Sequence, residues 1–131
     1  MAQPWFSQPL FRLGAFASLA VLVAMSVVPG GSRPTIEIGG LLIGALGVIE
    51  HIIGYAVCAC LFTLGFTRWR VALIFVCLAA LAGGLELVQM LVPGRTPKVS
   101  DAVLSAVGAG LGICLAMWIR RQVYWAERYS N

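Results

Sequence analysis

The side chains best suited to chemistry lie together between two strongly apolar runs: Glu86, Gln89, Arg95, Lys98 and Asp101. An ionisable side chain costs about 2.5–3.5 kcal/mol at the centre of a membrane helix on insertion scales, so it persists where it is paired, near water or in use. The planar fork of an arginine suits a phosphate group, and a carboxylate is a usual general base. The segment therefore indicates anion binding or proton transfer.

A second polar group, Glu50-His51, opens the preceding apolar run. In three places two polar residues have the spacing of one helix face. These pairs are His51 with Tyr55, Glu86 with Gln89, and Asp101 with Ser105. If consecutive apolar runs cross a membrane in alternate directions, the three pairs lie at the same membrane face. The outer polar residues are then Glu50, His51, Tyr55, Glu86, Gln89, Arg95, Lys98 and Asp101.

The composition identifies the elements that must position these residues. Of 131 residues, 60% are hydrophobic and 11% are charged, against roughly 25% charged residues in an average soluble domain. This balance predicts an integral membrane protein with a single domain over residues 1–131. No basic and aromatic patch suggests nucleic acid. The four cysteines lie in apolar runs without metal-ligand spacing, so we expect apolar fillers, no metal site and no cofactor.

Four runs approach the length of about 20 residues that crosses a bilayer. They cover residues 11–28, a run that starts between 41 and 50 and ends near 66, residues 71–91, and residues 101–119. Small residues near position 24 also allow the first run to be a signal peptide, but its charged flank is weak. The apolar segment 36–48 is an interfacial or re-entrant piece, or part of a long tilted helix. The predicted fold is all-α, a compact bundle of four transmembrane helices.

Orientation follows from the lysine and arginine residues in the short loops. With the N-terminus inside, the cytoplasmic side carries six cations: Arg12, Arg68, Arg70, Arg120, Arg121 and Arg128. The outer side carries three: Arg33, Arg95 and Lys98. All four tryptophans then lie near the inner interface. We therefore expect both termini in the cytoplasm.

Several of these residues also have a structural interpretation. Ser100 and Asp101 suit the start of a helix. The Glu50-His51 pair can lie at the lipid headgroups, Tyr55 can be an interfacial aromatic, and the two cations after Pro93 can be ordinary loop residues. Glu86 is the hardest to explain in this way, because it follows a fully apolar run and needs a partner such as Arg95 or His51. Close helix packing is expected at Gly83-Gly84 and along the stripe Ser105, Gly108, Gly112 and Ala116.

With these residues in view, the chain resembles the VanZ-like family of small bacterial membrane proteins. The resemblance rests on His51-x-x-x-Tyr55, Glu86-x-x-Gln89, Pro93-Gly94-Arg95, Asp101, and Gly108 with Gly112. It covers about residues 50–112. Members often have Asp-Lys where this chain has Gly47-Val48, and Asn where it has Ser105. The resemblance implies a four-helix protein of the bacterial cell envelope, in a family linked to resistance against a glycopeptide antibiotic.

Three functions fit these observations. The favoured one is binding of an anionic lipid or lipid-linked envelope precursor in the inner membrane, with Arg95 and Lys98 on a phosphate. The second is an enzyme that acts on a lipid-linked phosphate, with Glu86 or His51 as general base. The third is an accessory or scaffold subunit, as a homo-oligomer or within a larger membrane complex. Binding is favoured over catalysis because the sequence has no recognisable nucleophile motif, metal triad or phosphate loop.

Overall fold

The computed structural model describes residues 8–29 and 42–129, with side chains described outside 42–48 and 127. The described residues form four α-helices and no strand. The helices are α1 (Gln8–Val27), α2 (Leu42–Gly65), α3 (Val71–Gln89) and α4 (Val99–Tyr129). The expected all-α bundle of four helices is confirmed.

Three helical stretches are long and apolar enough to cross a membrane: Gln8–Val27, Val71–Gln89 and Val99–Ala126. In α2, the stretch Ile49–Gly65 is also apolar. Many large apolar side chains on the outside of the bundle are exposed, for example Leu13, Val76 and Leu111. A water-soluble protein rarely exposes so much contiguous apolar surface, whereas a lipid-facing surface requires it. The chain is therefore built as a membrane protein.

Two helix boundaries differ from the simplest expectation. Helix α2 begins at Leu42 and has 24 residues, so residues 42–48 of the apolar segment belong to the long second helix. Residues 36–41 lie outside the described residues. Helix α4 continues to Tyr129, past the expected end at 119. It does so because residues 120–129 contain neither Pro nor Gly, so the basic pair Arg120-Arg121 marks the end of the apolar stretch but not of the helix.

Contacts between the helices define the topology. The backbone of Gly65 at the end of α2 lies beside Arg12 near the start of α1, and Gly54 lies beside Leu22, so these two helices are antiparallel. Helices α2 and α4 run in the same direction. Consequently α2 and α4 begin, and α1 and α3 end, at one end of the bundle, which we call the polar end.

Two glycines bring the backbones of α2 and α4 into direct contact. A Cβ atom on Gly108 would lie 2.9 Å from Ile52 Cα, and one on Gly112 would lie 2.7 Å from the carbonyl carbon of Ala56. Ser105 and Ala116 on the same stripe are buried. Small residues allow this approach, and van der Waals packing then holds helices together where apolar burial against lipid provides little driving force. The expected packing role of the α4 stripe is confirmed.

The same expectation is wrong for Gly83 and Gly84. A Cβ atom on either glycine would meet nothing within 4 Å among the described residues. Their backbone therefore does not mediate close packing between the described helices. The reason is their position on α3, where no described helix comes within 4 Å of a Cβ atom at either glycine.

The end of the bundle away from the polar end is closed by a cation and aromatic rings. Arg12 Nε donates a hydrogen bond to the Gly65 carbonyl, at 2.9 Å, and its guanidinium lies 5.1 Å from the centre of the Phe66 ring. Phe16 packs edge-on against Phe62 and Phe66. A cation at the C-terminus of a helix satisfies carbonyl groups that lack an intrahelical partner and opposes the helix dipole.

The Gly112 contact generates a testable prediction. Gly112→Ala should lower the free energy of unfolding by about 1–3 kcal/mol, because α2 and α4 must separate to admit the methyl group. Gly110→Ala is the matched control, since its Cβ would meet the Phe75 ring at an ordinary 3.9 Å. Unfolding by SDS in mixed micelles measures both variants. Equal stability of the two variants would contradict the backbone contact.

Candidate functional site

Three helices bring their polar residues together at the polar end. His51 lies on α2, Glu86 in the last turn of α3, and Asp101 in the first turn of α4. One ligand atom from each of these three side chains lies within 4.8 Å of the other two. Ser105, one turn after Asp101, completes the group. We call these four residues the three-helix cluster.

The hydrogen bonds of Ser105 determine the orientation of the His51 ring. Ser105 Oγ donates its only proton to the Asp101 carbonyl at 2.8 Å and lies 3.1 Å from His51 Nδ1. The oxygen can therefore only accept at that second contact, so Nδ1 carries a proton and donates. His51 Nε2 then faces the Asp101 carboxylate, with 3.8 Å between Nε2 and Oδ2. This distance exceeds that of a hydrogen bond.

The two carboxylates of the cluster have further contacts with the α3–α4 loop and the start of α4. Glu86 Oε2 accepts a hydrogen bond from the backbone N–H of Lys98 at 2.9 Å. Asp101 Oδ1 accepts one from the Ser100 hydroxyl at 3.2 Å. The His51 and Asp101 side chains are 19% and 26% exposed, respectively. The cluster is therefore held by hydrogen bonds but remains accessible.

Arg95 reaches across the polar end to α1. Its Nε donates to the Val28 carbonyl at 3.2 Å, and its Nη2 donates to the carbonyls of Met25 and Ser26, at 2.5 and 3.2 Å. Arg95 thus caps the C-terminus of α1 as Arg12 caps that of α2. The sequence suggested Glu86 or a phosphate as the partner of Arg95. The backbone carbonyls that it binds could not be predicted, because every residue has a carbonyl and no residue type indicates such a contact.

The remaining predicted site residues fall into two groups. Tyr55 and Gln89 are buried, at 3% and 4% exposure, so the Tyr55 ring does not lie at the surface of the described bundle. Glu50 and Lys98 are exposed.

Asp101 has both the structural role and the site role that the sequence suggested. It occupies the first turn of α4, and its carboxylate faces His51. Ser105 was not predicted as a site residue. Its spacing of four residues from Asp101 was the sequence signal that could have identified it.

An apolar groove runs between α1 and α2 from the polar end. Its volume is about 340 Å³. Its walls are Val21, Leu22, Met25, Ile49, Glu50, Ile53 and Gly54. Arg95 binds the carbonyl of Met25 in this wall. We call the α3–α4 loop, residues 90–98 with Arg95 and Lys98, the cationic loop. An apolar groove therefore adjoins the cationic loop, a combination that fits an amphiphile with an anionic head.

The buried hydroxyl of the cluster is poorly placed for catalysis. Ser105 is 1% exposed, and its hydroxyl proton is donated to a backbone carbonyl. A nucleophile must reach the substrate and pass its proton to a base. Ser105 therefore orients His51 and does not attack a substrate in this arrangement.

Comparison with known proteins identifies the family of this chain. The model of the VanZ/LLP1 family matches residues 3–120. The chain belongs to the VanZ/LLP1 family. The match includes the whole three-helix cluster of this VanZ/LLP1 protein, and it confirms the resemblance found from the motifs. No curated protein and no solved structure matches the chain.

The contacts of Arg95 predict a loss of stability on substitution. Arg95→Gln should lower the free energy of unfolding by about 1.5–3 kcal/mol, because carbonyls at the end of α1 lose a charged donor. Lys98→Gln is the matched control and should stay within about 0.5 kcal/mol, because its side chain is exposed. Thermal unfolding of both variants in detergent is the measurement. An unaffected Arg95→Gln variant would remove the α1 cap from this description.

Proposed function

We propose that this VanZ/LLP1 protein binds the anionic headgroup of a cell-envelope lipid or lipid-linked precursor at its polar end, in the bacterial inner membrane. The apolar chain of the lipid lies in the groove between α1 and α2. The phosphate contacts Lys98, and Arg95 adds positive potential while it holds α1 in place. The lipid is bound and not altered.

The adjacency of the groove and the cationic loop carries this proposal. The described walls of the groove are almost entirely apolar and lie between α1 and α2, which suits a lipid tail. At the same end, Lys98 exposes its ammonium group and the Arg95 guanidinium lies at Met25 in the groove wall. Basic groups at a membrane surface attract anionic headgroups by about 1 kcal/mol each. The groove thus selects the apolar chain of the lipid, and the cationic loop selects its anionic headgroup.

Catalysis on a lipid-linked phosphate is the alternative, and the burial of Ser105 argues against it. A hydrolase could still activate water with Glu86 or His51. That reaction predicts a product that depends on Glu86, whereas binding predicts unchanged lipid. The two functions therefore give different results in one assay.

Binding is testable with a polyprenyl phosphate and the matching polyprenol as a neutral probe. Native mass spectrometry of protein released from detergent should show the phosphate retained in preference to the alcohol. Lys98→Gln should weaken retention about tenfold, the effect of losing one charge-assisted hydrogen bond. Arg68→Gln, which removes one exposed cation at the other end of the bundle, should have no effect.

Two results would contradict the proposal. Equal retention of phosphate and alcohol would mean that the headgroup is not recognised. Dephosphorylated lipid that forms with wild type and disappears with Glu86→Gln would establish an enzyme.

The proposed orientation has both termini in the cytoplasm and the polar end outside, supported by the excess of cations at the opposite end. In a cysteine-free background, a membrane-impermeant thiol reagent should label Lys98→Cys and spare Arg128→Cys in intact cells. Both positions are exposed at opposite ends of the bundle, so permeabilised cells provide the control in which both react. The reverse labelling pattern in intact cells would show that the orientation is wrong.

A further inference from the structure

We infer that the three-helix cluster is a binding site for a divalent transition-metal cation of the Zn²⁺ type, with His51, Glu86 and Asp101 as ligands and Ser105 as the residue that orients His51. The site is independent of the proposed lipid binding. The metal ligands are His51, Glu86 and Asp101, whereas the proposed lipid binding depends on Lys98 and Arg95.

The ligand set suits such a cation. Zn²⁺ binds imidazole nitrogen at 2.0–2.1 Å and carboxylate oxygen at 2.0–2.2 Å, so tetrahedral ligand atoms lie about 3.4 Å apart. Here His51 Nε2 and Asp101 Oδ2 are 3.8 Å apart, and the three ligand atoms lie within 4.8 Å of one another. The first distance is too long for a direct hydrogen bond and close to that of two atoms on one cation. Small side-chain rotations close the difference.

The orientation of the imidazole is a second, separate observation. A histidine that binds a metal through one nitrogen commonly donates the N–H of the other to an oxygen, which fixes the tautomer and the ring plane. Ser105 accepts that bond from His51 Nδ1, because its own proton goes to the Asp101 carbonyl. Nε2, left without a proton, lies 3.8 Å from Asp101 Oδ2. The ring is oriented as a ligand before any cation binds.

Charge balance points in the same direction. The cluster brings two carboxyl groups and one imidazole within 4.8 Å of one another at the edge of an apolar bundle. Carboxylates grouped in this way in a membrane protein are costly unless positive charge lies beside them. One divalent cation neutralises both, and three protein ligands leave a coordination position for water or an anionic oxygen.

Titration of purified protein with Zn²⁺ tests the inference, with an affinity tag that contains no histidine. Wild type should bind one Zn²⁺ per chain by isothermal titration calorimetry. Glu86→Gln and Asp101→Asn should each weaken binding at least about tenfold, and Ser105→Ala should weaken it about 10–100-fold through loss of the oriented ring. Glu127→Gln makes the same charge change near the other end of α4 and should bind like wild type.

The optical spectrum of bound Co²⁺ keeps the test decisive even if a variant fails to fold. Wild type should show ligand-field bands in the visible range without the intense near-ultraviolet band of a cobalt–thiolate bond. A thiolate band would assign the metal to the cysteines and overturn the inference. Absence of stoichiometric binding to folded wild type, or unchanged affinity in folded Glu86→Gln, would overturn it as well and leave the cluster as a hydrogen-bonded network.

Discussion

The direct contact between the α2 and α4 backbones is the constraint on which the rest of the structure depends. Gly108 and Gly112 admit the carbonyls of Ile52 and Ala56 at distances that no Cβ would allow. This contact sets the register of two parallel helices that are not neighbours in the chain. One turn closer to the polar end, the same register brings His51 to Ser105. Packing in the middle of the bundle thus determines the geometry of its polar end.

The ends of the helices follow a second rule, that backbone carbonyls in an apolar medium need donors. Arg12 supplies a donor to the end of α2 and Arg95 supplies donors to the end of α1. Arg12 therefore links α1 to α2, Arg95 links the α3–α4 loop to α1, and both oppose helix dipoles. Among the cations that the structure describes at the polar end, this leaves the exposed Lys98 as the one best placed to meet an anion from solution or membrane. The cluster and the cationic loop are thus adjacent but chemically separate.

Much of this architecture could be predicted from the sequence, because a run of about 20 apolar residues has few alternatives to a spanning helix. The spacing of His51, Glu86 and Asp101 relative to the helix ends also predicted a common level. Their approach to within 4.8 Å of one another could not be predicted, since it depends on the rotation of each helix about its axis. Gly83-Gly84 shows the limit most clearly: these residues are as small as those of the α4 stripe, but no described helix comes within 4 Å of their Cβ positions. The partners of Arg95 could not be predicted either, because they are backbone carbonyls and every residue has one.

Helix packing orients the His51 ring, with Nδ1 on Ser105 and Nε2 3.8 Å from the Asp101 carboxylate. His51 is the single histidine of the chain, so ¹⁵N labelling of histidine gives one imidazole without assignment. The direct measurement is the ¹⁵N spectrum of this ring in metal-free, alkaline buffer, where imidazole is neutral. We expect the His51 ring to have a protonated Nδ1 and an unprotonated Nε2. A neutral ring with its proton on Nε2 would contradict it.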